Sequence, residues 1–310
     1  MKPSTLIVAF FILFVLIVSE GASAAKAKES GWIFSPMVGV NKLALDVFYN
    51  TVYKSPFVGT VEITTDLPED VEGESSYPIE RFSFENDLLP RDIDVEGGLE
   101  MRRYFGKKND FFIGIGAWET ISENAPITVR FPLQGDKVNL ANYSRRGKLS
   151  FTQYYIGVRH YLTQRDKKFS AYLNISLLEI FDIDYEETNV FSFVSGAPAG
   201  FKRIFVYKSQ ATGFLMMQFG VGGEYRFAER FSLALEGAYA FHLQAGALKG
   251  LTATDDTNDG DRIQLPPLVI RPISPSDDSV GALNRDGETR TKVELRLDGW
   301  HVIAKFNVAF

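Results

Sequence analysis

The sequence predicts an all-β fold: an eight-stranded antiparallel up-and-down transmembrane β-barrel with four long external loops and short periplasmic turns. Three observations point there. Between Phe214 and Ala245, on both sides of a break at Ala228 and Glu229, one alternate set holds Leu215, Phe219, Val221, Tyr225, Leu233, Leu235 and Tyr239. The intervening set holds Gln218, Gly220, Gly222, Glu224, Arg226, Ser232, Ala234, Glu236 and Ala238. A period of two belongs to strands, because a helix would spread both sets around its circumference. The arms exceed the roughly five to six residues of a soluble strand and satisfy the about 9 to 11 that a tilted strand needs to cross a bilayer. Second, the polar face is built from small residues around a few charges, as a narrow interior requires, while Phe and Tyr mark the hairpin end of the apolar face, as in an interfacial girdle. Third, the connections between candidate strands alternate long and short, matching external loops and periplasmic turns.

Composition agrees with this class. One large all-β domain fits 310 residues, and 26 Phe within 14% aromatic content exclude a disordered chain. A mean hydropathy of -0.06 excludes a helical inner-membrane bundle, whereas alternation hides the apolar half of a barrel from the average. The net charge of -6 and pI near 5.3 argue against nucleic acid, which needs a basic face. With no cysteine, disulfides and a lipid-modified amino terminus are both excluded. No motif asks for a cofactor.

Residues 1–24 read as a signal peptide and 25–310 as the barrel domain. Lys2 is the charged flank, Leu6 to Val18 the apolar core, and Ala22-Ser23-Ala24 a small-residue cleavage site. A membrane anchor would need a longer apolar run. The expected location is therefore the outer membrane, with both mature termini periplasmic and with outer-membrane lipid and lipopolysaccharide as the surroundings.

The strands follow in order. The first spans Trp32 to Tyr49, with a parity change near Lys42 that a bulge would produce. An acid-rich loop runs from Thr51 to about Arg91, with short strand extensions at Val58 to Thr64 and Ile79 to Phe84. The second strand, Ile93 to Phe105, points Val95, Leu99 and Met101 outward and Glu96, Gly98, Glu100 and Arg102 inward. Gly106 to Asp110 is a tight break before the third, Phe111 to Glu119. After a long connection from Thr120 to Lys148 comes the fourth, Ser150 to Leu162; a polar turn then leads to the fifth, Phe169 to about Ile183. The stretch Asp184 to Thr212 is the third long loop, the hairpin supplies strands six and seven, and Gly246 to about Thr291 is the fourth long loop. Lys292 to Phe310 is the last strand.

Its final segment places Trp300, Val302, Ala304, Phe306, Val308 and Phe310 on one face and ends in an aromatic residue. This looks like the carboxy-terminal signal, carried by Trp300, Phe306, Val308 and Phe310, that the barrel-assembly machinery reads during insertion. The chain as a whole resembles the small eight-stranded outer-membrane proteins of the outer-membrane protein A barrel and outer-membrane protein W kind. The resemblance rests on the amino-terminal signal, strand number, loop alternation and Phe310. It implies architecture and no ligand. The external loops are longer than a minimal barrel of that kind needs, and no periplasmic peptidoglycan-binding domain is expected after Phe310.

The inward charges Glu96, Glu100, Arg102, Arg159, Glu224, Arg226, Glu236 and Lys305 have opposite signs and come from strands around the ring. The interior of an eight-stranded barrel is just filled by side chains, so mutual pairing is the expected arrangement. The competing reading is a narrow or gated ion path through the same residues. Of the three histidines, His160, His242 and His301, none is accompanied by a serine motif, so catalysis is not expected. Asp255 to Asp261 is similar to part of a calcium loop, but Pro266 stands where its last acidic ligand belongs. The function expected is a non-enzymatic, membrane-anchored barrel with surface loops for structural, adhesive or recognition roles. The alternative is a small porin or conduit for small or apolar molecules.

Overall fold

The computed structural model describes residues 31–43, 45, 48–55, 57–62, 79–84, 87–89, 93–105, 108–132, 138–164, 167–195, 202–257, 262–263, 270–274, 277–283 and 289–310. The signal peptide expected at 1–24 lies outside them, as do the acidic loop at 63–78 and the end of the calcium-like segment at 258–261.

The strands are β1 (Trp32–Leu43), β2 (Phe57–Glu62), β3 (Ile79–Phe84), β4 (Asp94–Phe105), β5 (Asn109–Glu123), β6 (Ile127–Pro132), β7 (Val138–Tyr161), β8 (Phe169–Ser195) and β9 (Lys202–Ala211). They continue as β10 (Phe214–Arg226), β11 (Phe231–His242), β12 (Gly246–Thr257), β13 (Arg262–Ile263), β14 (Ile270–Ser274), β15 (Asp277–Leu283), β16 (Arg290–Lys292), β17 (Glu294–Leu295) and β18 (Gly299–Ala309). Every pairing is antiparallel. Strands β2 and β3 form a separate hairpin, and the other strands share one sheet.

Part of that sheet closes on itself. Strand β1 pairs with β4, then β5, β7, β8, β10, β11 and β18 follow in turn, and β18 returns to β1. Direct partners traced once around this circuit run Trp32, Arg103, Phe111, Val158, Ile175, Phe219, Tyr239, Trp300 and Lys42. The path re-enters β1 at Lys42 after leaving it at Trp32, a stagger of ten residues. At roughly 3.3 Å per residue and 4.8 Å between strands, this stagger tilts the strands by about 40° and gives a radius of about 8 Å. Such an interior has room for side chains and little else.

The circuit is not the whole sheet, and here the structure corrects the sequence reading. Strands β7 and β8 run past it, their outer halves paired from Leu140 with Ser195 to Ser150 with Asp184. Strand β6 adds to β7, while β9, β12 and β15 build outward from β8. The stretches beginning at Thr120, Asp184 and Gly246 are therefore largely strand, so the fold is not a plain eight-stranded barrel. Alternation continues through them, with Tyr143, Arg145 and Leu149 inward on β7 and Tyr185, Glu187 and Phe191 inward on β8. Charges placed among those inward positions disguise the period.

The other corrections concern ends. Strand β1 stops at Leu43, and the chain turns into a π-helical turn at Tyr49–Tyr53. The parity change at Lys42 thus marks departure from the wall. Phe48, Val52 and Tyr53 are wholly buried inside the extension, with Phe48 edge-on to Tyr53 and Tyr185 at 5.2 Å. The final strand is broken into β16, β17 and β18. The hairpin at 57–84 matches the expected short extensions closely.

The circuit's outer face is apolar. Val95 is 62%, Leu235 61% and Trp300 64% exposed, and Val38, Ile113, Ile115, Ile156, Leu173, Leu177 and Val221 are exposed beside them. Aromatic contacts flank this band: Phe227, Phe231 and Phe306 lie 5.9 to 6.3 Å apart at one end, and Tyr239 meets Trp300 at 4.9 Å toward the other. Val308 shares the parity of Trp300 and Phe306 but is buried in register between Phe34 and Phe231.

Candidate functional site

Period-two alternation turns the other face of the circuit inward, and the charges predicted there meet inside it. Arg102 of β4 and Arg159 of β7 are 0% exposed. Arg102 donates from Nη2 to both carboxylate oxygens of Glu224 at 2.9 Å and from Nη1 to the Tyr161 hydroxyl at 2.9 Å. Ser232 donates to Glu224 at 2.5 Å, and Asn307 and Ser35 extend this chain across β18 and β1. Arg159 pairs with Glu100 at 2.9 Å and stacks over the Tyr172 ring at 4.3 Å. Lys305 then bridges Glu100 at 2.7 Å and Glu236 at 3.0 Å.

Six of the eight predicted inward charges therefore form this one network, joined by Asp110, which lies 3.6 Å from Arg102 and 3.8 Å from Arg159. Glu96 belongs to a separate pair with His301, 2.9 Å from its Nδ1. Arg226 sits partly exposed at the turn end of β10. Asp110 falls in the tight break that the sequence predicts, yet it is the second residue of β5 and faces inward. Counted every second residue back from Phe112, it falls on the interior face, which is the signal that locates it.

The small residues explain how so many long side chains fit. A Cβ on Gly222 would lie 2.4 Å from Tyr172 Cζ, and one on Gly114 2.1 Å from Tyr155 Cζ. Each tyrosine lies across a glycine of a neighbouring strand. Among the ion pairs a cavity of about 20 Å³ remains, lined by Glu100, Glu236, Lys305, Phe112, Gln153 and His301. The interior chemistry is thus mutual neutralisation: carboxylates are held by guanidinium, ammonium, phenol and hydroxyl donors, as buried charge requires.

A second buried cluster occupies the extension. Arg145 holds Glu187 with Nε and Nη2 at 2.9 and 2.8 Å, and also donates to the Val52, Tyr53 and Ser55 carbonyls at 2.8 to 3.2 Å. It thereby fixes the π-helical turn inside the sheet. Tyr185 and Asn189 complete the Glu187 carboxylate, and Tyr143 donates to Asn189. Burial alone would raise the Glu187 carboxyl, but the Arg145 charge and these hydrogen bonds hold it below the usual carboxylate range. Burial pushes the Tyr53 phenol up to about 12. Sequence reasoning missed this cluster because both halves lay in stretches assigned to loops.

The histidines occupy three settings. His160 meets Asn109 at 2.8 Å near the short turns, His242 meets Asp298 at 2.7 Å, and His301 is enclosed with Glu96. Asp255 and Asp256 pair with β9 and β13 as strand. Among the described residues no group of His, Cys, Asp or Glu is placed to hold a metal ion.

Together these features define an antiparallel β protein whose sheet closes around a buried ion-pair network. Comparison with known proteins adds no family: no family model and no curated protein matches the chain. Among solved structures, the outer membrane protein OprG from Pseudomonas aeruginosa aligns over 91% of this chain and 96% of its own, at 12% identity and a TM-score of 0.36. The outer membrane protein opdK from the same organism aligns over 91% and 98%, at 8% identity and a TM-score of 0.11. At these scores neither superposition bears on the reading, which rests on the pairings and packing above.

Proposed function

We infer that the protein is a non-enzymatic β-barrel of the bacterial outer membrane, its eight-strand circuit crossing the bilayer and its extension standing outside the cell. The observation that carries this reading is the inversion of the circuit. Large apolar side chains point away from it over its whole girth, while charges are enclosed at its centre. A water-soluble protein seldom exposes so large a contiguous apolar surface, and every backbone polar group in a membrane needs a partner, which a closed ring of strands provides. The extension then presents the surface available for structural, adhesive or recognition roles.

The filled interior favours an anchor over the alternative conduit for small molecules. Refolding the purified chain into vesicles and recording planar-bilayer conductance tests both halves. Insertion without ion steps supports the anchor, whereas discrete steps that change on Arg102→Met would favour a path through the charge network. Failure to insert into any bilayer would end the membrane reading.

A further inference from the structure

The short turns close one end of the circuit in a continuous rim. The Tyr161 amide donates to the Lys108 carbonyl at 2.7 Å, Arg226 to Lys168 at 2.8 Å, Ala309 to Arg230 at 2.9 Å and Phe310 to Trp32 at 3.0 Å, while Trp32 pairs with Arg103. The charge of this rim is one-sided. Among the described residues, Arg103, Lys108, Lys167 and Lys168 are exposed there and Arg226 and Arg230 half-exposed, against the exposed carboxylate of Glu229, Asp110 being turned inward. Lys107, Arg165 and Asp166 fall in the same turns by sequence and lie outside the described residues.

The chain as a whole carries a net charge of -6, which sets this basic end apart from the rest. Toward the other end exposed cations meet carboxylates: Arg146 meets Glu123 at 3.3 Å, Lys148 meets Glu119 at 2.7 Å and Lys208 meets Glu186 at 3.0 Å. On a ring of about 8 Å radius the six rim cations stand roughly 8 Å apart, within the Debye length of about 8 Å at physiological ionic strength. They therefore act on a ligand as one patch. Arg102, Asp110 and Tyr161 fill the floor beneath them, so the ring is a surface and not the mouth of a channel.

Two of these cations belong to the membrane interface, since Arg103 lies 5.4 Å from the Trp32 ring and Lys168 5.4 Å from the Tyr225 ring. Lys108, Lys167 and Arg230 stand on the turns, the part of the wall farthest from mid-membrane, so their partner lies beyond the lipids packed around the wall. A folded protein is disfavoured as that partner, because its interface needs an apolar or aromatic centre. The large exposed apolar groups at this end, Trp32, Phe169, Phe227, Phe306 and Phe310, follow the lipid-facing side instead.

We propose that the basic ring binds the peptidoglycan of the cell wall through the free carboxylates of its peptide stems. The inference rests on the membrane reading above, which turns this end toward the periplasm. A polymer with repeated carboxylates matches a ring of point charges. Each exposed contact is weak by itself, but several made by one chain to one network reinforce each other through effective concentration. The barrel is thereby tethered to the wall beneath it as well as anchored in the bilayer.

The test is co-sedimentation of the detergent-solubilised full chain with purified, protein-free peptidoglycan at low and at high salt. Binding is expected that salt reverses and that disappears when the carboxylates of the wall are amidated. It should be at least about tenfold weaker in K108Q/K167Q/R230Q, which is roughly twofold for each cation removed. K148Q/K208Q, toward the other end, should bind as the parent chain does, and mobility on unheated gels checks that each variant keeps its fold. No sedimentation of the parent chain, undiminished binding after amidation, or equal loss in the two variants would overturn the assignment. Displacement by an equal charge of phosphatidylglycerol in the micelles would give the ring to lipid headgroups and overturn it as well. All of these leave the membrane reading intact, which falls separately if the parent chain fails to insert into vesicles.

Discussion

Arg159→Met probes the ion-pair network at its most enclosed point. Arg159 has no exposed side-chain surface, holds Glu100 at 2.9 Å, and lies 3.7 and 3.8 Å from Glu236 and Asp110. Methionine keeps much of the side-chain bulk over the Tyr172 ring but removes the charge. Four carboxylates, those of Glu100, Asp110, Glu224 and Glu236, then face only Arg102 and Lys305. Removing one partner from a buried pair costs about 3 to 5 kcal/mol, because the remaining charge is left uncompensated. In equilibrium terms that is roughly two to three and a half powers of ten in the folded-to-unfolded ratio. The assay is urea unfolding in vesicles, followed by tryptophan fluorescence and by the mobility shift of folded barrel on unheated gels. The double variant Arg159→Met with Glu100→Gln should recover part of the loss, since neutralising Glu100 removes the nearest uncompensated charge. A loss below about 0.5 kcal/mol for the single variant, the range of ordinary surface substitutions, would refute the claim that these charges depend on one another.

Three further outcomes follow from the same structure. Leu235→Arg places a cation on the apolar band and should cost about 2 to 4 kcal/mol at mid-depth, while inward Ala234→Ser should be mild; equal damage in refolding yield would undo the facing assignment. Gly222→Ala drives a methyl against the Tyr172 ring and should lose about 1 to 3 kcal/mol as an overpacked site, whereas Gly237→Ala, whose Cβ meets nothing within 4 Å, should be near neutral in the same unfolding assay. The Glu187 carboxyl is held below its ordinary value of about 4.3, so its contribution is complete above that pH and is lost as the pH falls through the lowered value. Limited proteolysis of the extension should accelerate on acidification below about pH 4, and Glu187→Gln should flatten that dependence; an unchanged acid response in the variant would contradict it.

What the sequence discloses depends on how cleanly each segment keeps its two faces apart. Phe214 to His242 is legible because Phe219, Val221, Leu233 and Leu235 alternate with glycine, alanine and serine, and the structure pairs these strands in that register. Glu100, Arg102, Arg159, Glu224, Glu236 and Lys305 are legible as interior charges for the same reason, although their partners are not: which carboxylate meets which cation depends on the stagger around the circuit. The outer half of β7 and β8 is opaque because its inward face mixes Tyr143 and Leu149 with Arg145, and Tyr185 and Phe191 with Glu187, so it lacks a uniformly apolar stripe. Asp110 is hidden by its neighbours, since Lys107, Lys108 and Asn109 read as turn. The π-helical turn at Tyr49–Tyr53 has no local signature in the sequence, and its place is set by Arg145, far away along the chain.

The most direct measurement is a spin-label scan of single cysteine substitutions along β10 and β11, from 217 to 225 and from 233 to 241, in a chain with no native cysteine to remove. Labels in vesicles should show oxygen accessibility that peaks at the odd-numbered positions of both strands, strongest around 219, 221, 233, 235 and 239, with low values and poor access to aqueous nickel complexes at the even-numbered positions between them. Uniform aqueous access along both strands, or loss of the two-residue period, would contradict a wall that turns its apolar side to lipid and its charges upon one another.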